Sequence, residues 1–204
     1  MQKAILLNDV MFNTTELSGS LGLIAMVILT CNMLLGIMLS TSFVSTNWGF
    51  KLPLKIKSVD INILHNYTAY IALILVIAHV VLIPLDATNK FTYLDVLWPA
   101  QAPHQSNIVF LGTFSFLALI VVVITTQKVV KRKLRFSLWK KIHLISYATC
   151  ILFVVHGLLM DPLLKDRPTD WIDAEKLIAE LCGLLLLIAF ILRYKYYIYT
   201  IRKR

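Results

Sequence analysis

LHNYTAYIALILVIAHVVLIPL (residues 64–85) and KIHLISYATCILFVVHGLLM (residues 141–160) decide how this chain is read. Each is an apolar run of the length a helix needs to cross a membrane, about 20 residues. Each also carries one histidine near either end: His65 and His79, fourteen residues apart, then His143 and His156, thirteen apart. At a helical rise of about 1.5 Å per residue, both spacings set two histidine layers roughly 20 Å apart. Two such layers fit inside a hydrocarbon core of about 30 Å. Ionisable groups in hydrocarbon are costly and mark function.

The rest of the chain agrees with a membrane protein. Of its 204 residues, 58% are hydrophobic and 15% charged, far from the balance of a water-soluble domain. Five stretches read as spans, at about 18–40, 61–84, 107–127, 139–160 and 176–199. The expected fold is all-α, an integral membrane bundle forming a single domain over residues 1–204. No cleavable signal peptide is expected, because MQKAILLNDVMFNTTE carries acids where an apolar core should run.

Charge sorting orients the bundle. The 41–60 loop, the 128–141 loop and the end from Arg193 hold fifteen of the twenty Lys and Arg, with Asp60 as the sole acid. The opposite side holds five basic and ten acidic residues. The positive-inside rule then puts the N-terminus outside and the C-terminus in the cytoplasm, in the plasma (cell inner) membrane. Every basic cluster lies against a helix end, so the expected partner is anionic lipid and not nucleic acid. Tyr194, Tyr196, Tyr197 and Tyr199 read as an interfacial aromatic belt.

Antiparallel helices bring His65 level with His143 at the cytoplasmic end, and His79 level with His156 at the outer end. Each pair can supply both axial ligands of a six-coordinate b-type haem, giving two haem b groups per chain. No C-x-x-C-H motif is present for covalent attachment. At 100° per residue, fourteen residues fall about 40° short of four turns, so His65 and His79 share a face. Thirteen fall about 140° short, so His143 and His156 do not. Either the helix is irregular near Gly157, or the two sites lie at different azimuths around it.

The four-histidine spacing on the second and fourth spans resembles the ferric reductase transmembrane domain. NADPH oxidases, iron reductases and the haem subunit of bacterial methionine sulfoxide reductase share that domain. Supporting stretches are LGLIAMVILTCNMLLGIML (21–39), TTQKVVKRKLRFSLWKKIHLISY (125–147), in which a basic loop leads through Trp139 to His143, and FILRYKYY (190–197). The resemblance implies that His65, His79, His143 and His156 hold haem iron. It also implies single-electron transfer across the membrane, from a separate flavoprotein reductase or a quinol to ferric iron, a partner protein or oxygen. A G-x-G-x-x-G fingerprint is missing, so no flavin or NADPH domain is expected within these residues.

Other residues carry weaker signals. Asn32 is the one strongly polar group at its depth in the first span and is expected to bond between helices. Cys31, Cys150 and Cys182 are expected to pack. Gly22, Gly36, Gly112 and Gly183 allow helices or a porphyrin to approach closely, with packing the favoured account. His104, near Asp95 in an outer loop, is a candidate contact for a metal substrate, though a solvated loop residue is the preferred reading. Lys55, Lys57, Lys140 and Lys141 are candidate partners for propionates at the inner site, and Lys165 and Arg167 at the outer. A competing class is a transporter or assembly factor whose histidines carry protons or metal ions.

Overall fold

The computed structural model describes residues 2–41, 60–86, 89–160 and 174–202, with side chains from residue 14 onward, apart from 174–175 and the last residues of the chain. Seven α-helices and no strand occur among the described residues: α1 (Gln2–Ser40), α2 (Ile61–Leu82), α3 (Tyr93–Leu97), α4 (Ser106–Thr126), α5 (Lys128–Lys133), α6 (Phe136–Leu159) and α7 (Ala174–Arg202). Five are long and apolar enough to cross a membrane, over Thr14–Ser40, Ile61–Leu85, Ser106–Thr126, Phe136–Leu159 and Lys176–Thr200. These match the five expected spans to within four residues at each end. The all-α membrane bundle is therefore observed.

Local chemistry sets the helix boundaries. Asp60 caps α2, its carboxylate accepting from the amides of Asn62 (2.9 Å) and Ile63 (3.3 Å), which would otherwise lack partners. Pro84 then closes the helix in a 3₁₀ turn, Ile83–Leu85. Thr92 and Asp95 form a reciprocal capping box on the short α3. Gln127 is extended and separates α4 from the basic α5.

Helix α1 is the central element, packing most extensively on α2 and also on α6 and α7, while α4 pairs with α6. Ala25, Leu29, Ala72, Val76, Phe116, Leu119 and Val123 make one buried core among α1, α2 and α4. Met26, Met33, Ile37, Cys150, Val154, Ala179, Cys182, Leu186 and Ala189 make a second among α1, α6 and α7. Cys150 and Cys182 pack there as expected, and Cys31 is exposed; all three are free thiols. Large apolar side chains such as Ile74, Phe114 and Leu187 face outward, the inverse of a water-soluble bundle and suited to lipid. A third cluster, Phe91, Val96 and Val109, sits where residues 89–105 pack against one end of the bundle. It is tied down by Thr113 Oγ1 donating to the Val96 carbonyl at 2.6 Å and Asn89 Nδ2 to that of Ile83 at 2.8 Å.

Candidate functional site: two histidine pairs

The bundle brings the four histidines together in the expected pairs. At one end the rings of His65 and His143 approach to 6.2 Å between centroids, at 76° to one another. At the other, His79 and His156 line one cavity of about 150 Å3 with an otherwise mostly apolar wall that includes Leu29, Val76, Val109, Phe116 and Phe153. Helix α6 runs unbroken from Phe136 to Leu159, so irregularity at Gly157 does not account for the thirteen-residue spacing. His143 and His156 instead use different faces of a regular helix. His143 meets α2, whereas His156 meets α4.

Three of the histidines share one mode of support. The Nδ1 atom of His65 lies 3.0 Å from the carbonyl oxygen of Asn32, that of His79 2.7 Å from Ser18 O, and that of His156 2.8 Å from Ile108 O. A carbonyl can only accept, so each Nδ1 carries the hydrogen and each Nε2 keeps its lone pair. Four residues after each accepting carbonyl stands a glycine, and the ring lies over it. A Cβ would come within 3.2 Å of the His65 ring at Gly36, 3.1 Å of His79 at Gly22, and 2.7 Å of His156 at Gly112. At Gly112 a Cβ would force the ring to shift, and at Gly22 and Gly36 the ring would have to give by a few tenths of an ångström, so these glycines let an imidazole from the neighbouring helix pack closely. Gly183 packs in the same way against an aliphatic side chain, facing Val154 Cγ1 at 3.2 Å. Gly22 and Gly36 are fourteen residues apart, the spacing of His79 and His65, so α1 and α2 meet in register at both ends.

His143 is held differently. Its Nδ1 is buried without a hydrogen-bond partner, as is Nε1 of Trp139. The two rings stack at 5.3 Å and 16°, one helical turn apart on α6. Lys131 of α5 lays its Nζ 4.0 Å from the centroid of the Trp139 ring, a cation–π contact. Asn32 bonds between helices as expected: its Nδ2 donates to the His65 carbonyl (2.5 Å) and to Thr68 Oγ1 (2.8 Å).

Ser18 reinforces His79. Its hydroxyl is 3.0 Å from the His79 Nδ1 and donates to the His79 carbonyl at 2.9 Å. Nearby, Thr15 Oγ1 donates to the buried carboxylate of Asp86. Lys176, which the reading of the sequence placed only as the start of a span, is 5% exposed and lines the cavity. In the structure it continues a buried stripe along α7, with Ala179, Cys182, Leu186 and Ala189. Lys140 and Lys141 are exposed; Lys55, Lys57, Lys165 and Arg167 lie outside the described residues. His104 is half-buried beside Phe91, with ring centroids 6.4 Å apart, and is not part of the cavity wall.

The donor chemistry is that of paired imidazoles. Among the described residues no group of three or more His, Cys, Asp or Glu is clustered as a metal cage, which structural zinc would need. Two imidazoles with fixed tautomers, Nδ1–H on a carbonyl and Nε2 available, are the arrangement second-shell bonds give to metal-ligating histidines. The mostly apolar wall of the His79–His156 cavity suits a flat macrocycle. The residues present therefore fit haem.

The family model of the ferric reductase-like transmembrane component matches residues 21–155. The chain belongs to this family of membrane oxidoreductase and electron-transfer components. The match spans His65, His79 and His143, with His156 one residue beyond its end. Comparison with curated proteins and with solved structures gave no match.

Proposed function

We propose that this protein carries single electrons across a membrane through two b-type haems, one held by His65 and His143 and one by His79 and His156. The observation that supports this most strongly is the repeated support of three imidazoles, each on a carbonyl and over a glycine, with Nε2 left for iron. Haem iron would supply the one-electron couple. The protein's part is to fix the axial imidazoles, exclude water with the walls of the cavity, and hold two sites at opposite ends of one bundle. Charge sorting puts the His65–His143 site on the cytoplasmic side of the plasma membrane and the His79–His156 site outside. Outward transfer of one electron is then favoured by about 2.3 kcal/mol per 100 mV of membrane potential.

The proposed donor is a separate flavoprotein or a quinol at the cytoplasmic face. There Lys128, Lys131, Arg132, Lys133 and Arg135 gather near His143, a patch that would steer an acidic partner at a rate falling with salt. Ferric iron, a partner protein or oxygen is the proposed acceptor. The test is a vesicle holding the protein and an entrapped ferricyanide pool, reduced by dithionite from the other side. Wild-type protein is expected to bleach the entrapped ferricyanide, and His79→Ala or His156→Ala to stop the bleaching while leaving haem at the other site reducible. Unchanged transfer in both variants would contradict the relay.

A further inference from the structure

Lys176 is a charged side chain sealed into the wall of the His79–His156 cavity, and the three carbonyls it holds follow directly on His156. Its Nζ donates to the carbonyls of Gly157 (3.2 Å), Leu158 (2.8 Å) and Met160 (2.5 Å). Those carbonyls belong to the last turn and end of α6, where a helix has no amides left to satisfy its acceptors. An ammonium group is also favoured there by the negative end of the helix dipole. In an apolar setting both sides of this contact are expensive to leave unmade. The contact crosses from α7 to α6. One turn further along α7, Ala179 is fully buried and its Cβ would lie 4.0 Å from one added at Gly157.

His156 itself is fixed at two other points, the Ile108 carbonyl and the face of Gly112, both on α4. Nothing in those contacts sets the position of the α6 backbone that carries the ring. The last turn of α6 does, and Lys176 ties it. We infer that Lys176 is a positioning residue: it pins the end of α6 so that the His156 imidazole keeps one orientation toward the group held in the cavity. This rests on the haem reading above.

The experiment is electron paramagnetic resonance and absorbance of the ferric protein, purified as the full chain, for wild type, Lys176→Met, Lys176→Gln and Lys176→Arg. Wild type is expected to show two six-coordinate low-spin centres, of which the His79–His156 centre is identified by its loss in His79→Ala. In Lys176→Met that centre is expected to broaden and convert in large part to a high-spin form, with the other centre unmoved. Lys176→Gln, which keeps an amide donor, should show a smaller conversion, and Lys176→Arg should restore the low-spin signal. A Lys176→Met protein with both centres as in wild type would overturn the inference. So would equal damage to both centres, or failure of all three variants to accumulate, because either assigns Lys176 to folding alone. Wild-type protein without haem would instead refute the haem reading.

Discussion

The two ends of the bundle solve the same problem with different parts. Around His79 and His156 both imidazoles rest on backbone carbonyls, both lie over glycines, a buried lysine ties the helix end, and a folded segment closes the top. Around His65 and His143 only His65 has the carbonyl and the glycine. His143 is steered by a stacked indole, itself under a cation from the neighbouring surface helix. A carbonyl in a helix is fixed by the backbone, whereas a stacked side chain can be moved through whatever touches it. The His79–His156 site is thus built for rigidity, and the His65–His143 site is coupled to the basic surface of α5.

Adding a methyl group should break the comparison most sharply. A Cβ at Gly112 would stand 2.7 Å from His156 Cε1 and 3.0 Å from both ring nitrogens, against 3.2 Å for the nearest ring atom at Gly36. Overpacking of this kind costs typically about 1–3 kcal/mol. Gly112→Ala is expected near the upper end, with most of the haem at the His79–His156 site lost. Gly36→Ala is expected near the lower end, with partial loss at the other site. Reduced-minus-oxidised spectra normalised to protein measure both; equal losses would remove the claim that the glycines act by proximity to the rings.

A smaller effect is expected at Trp139. An aromatic pair contributes about 0.5–1.5 kcal/mol beyond its burial, so Trp139→Leu should weaken haem retention at the His65–His143 site several-fold and leave the other site alone. Competitive extraction of haem by an apoglobin reads this directly. Equal weakening of both sites would show that the indole stabilises the bundle and does not orient His143.

The smallest expected effect concerns the cover of the closed site. Asp95 accepts from the Thr92 hydroxyl at 2.6 Å and the Thr92 amide at 2.8 Å, and these bonds hold its carboxyl below the usual carboxylate range. A depressed folded value means the cap is fully in place above the unfolded value of about 3.9. It is lost as pH falls through the folded value. Hydrogen-exchange protection of Tyr93–Trp98 should therefore hold from neutral pH down to about pH 4 and decline below it. In Asp95→Asn that decline should vanish; an unchanged decline would place the titrating group elsewhere.

Much of this was legible in the sequence. The five spans follow from long apolar runs, set off by features such as Asp60, Pro84 and the basic α5, because composition alone decides which backbone can sit in lipid. The histidine pairs followed from depth. The support around them was not legible, because Gly22, Gly36 and Gly112 have meaning only against rings on other helices, and no local property of a glycine reveals the side chain it faces. The azimuths of His143 and His156 stayed open for the same reason: a thirteen-residue spacing fits two geometries until the partner helices are placed. Lys176 was missed because charge at a span boundary looks like an interfacial anchor, and only its contacts to Gly157, Leu158 and Met160 place it inside.

The central claim is that both pairs, differently built as they are, hold a haem. A pyridine haemochrome assay on the purified chain, with protein measured by amino-acid analysis, tests it most directly. Two b-type haems per polypeptide are expected, falling to one in His143→Ala and to one in His156→Ala. A wild-type value of one, or a stable protein without a Soret band, would contradict it.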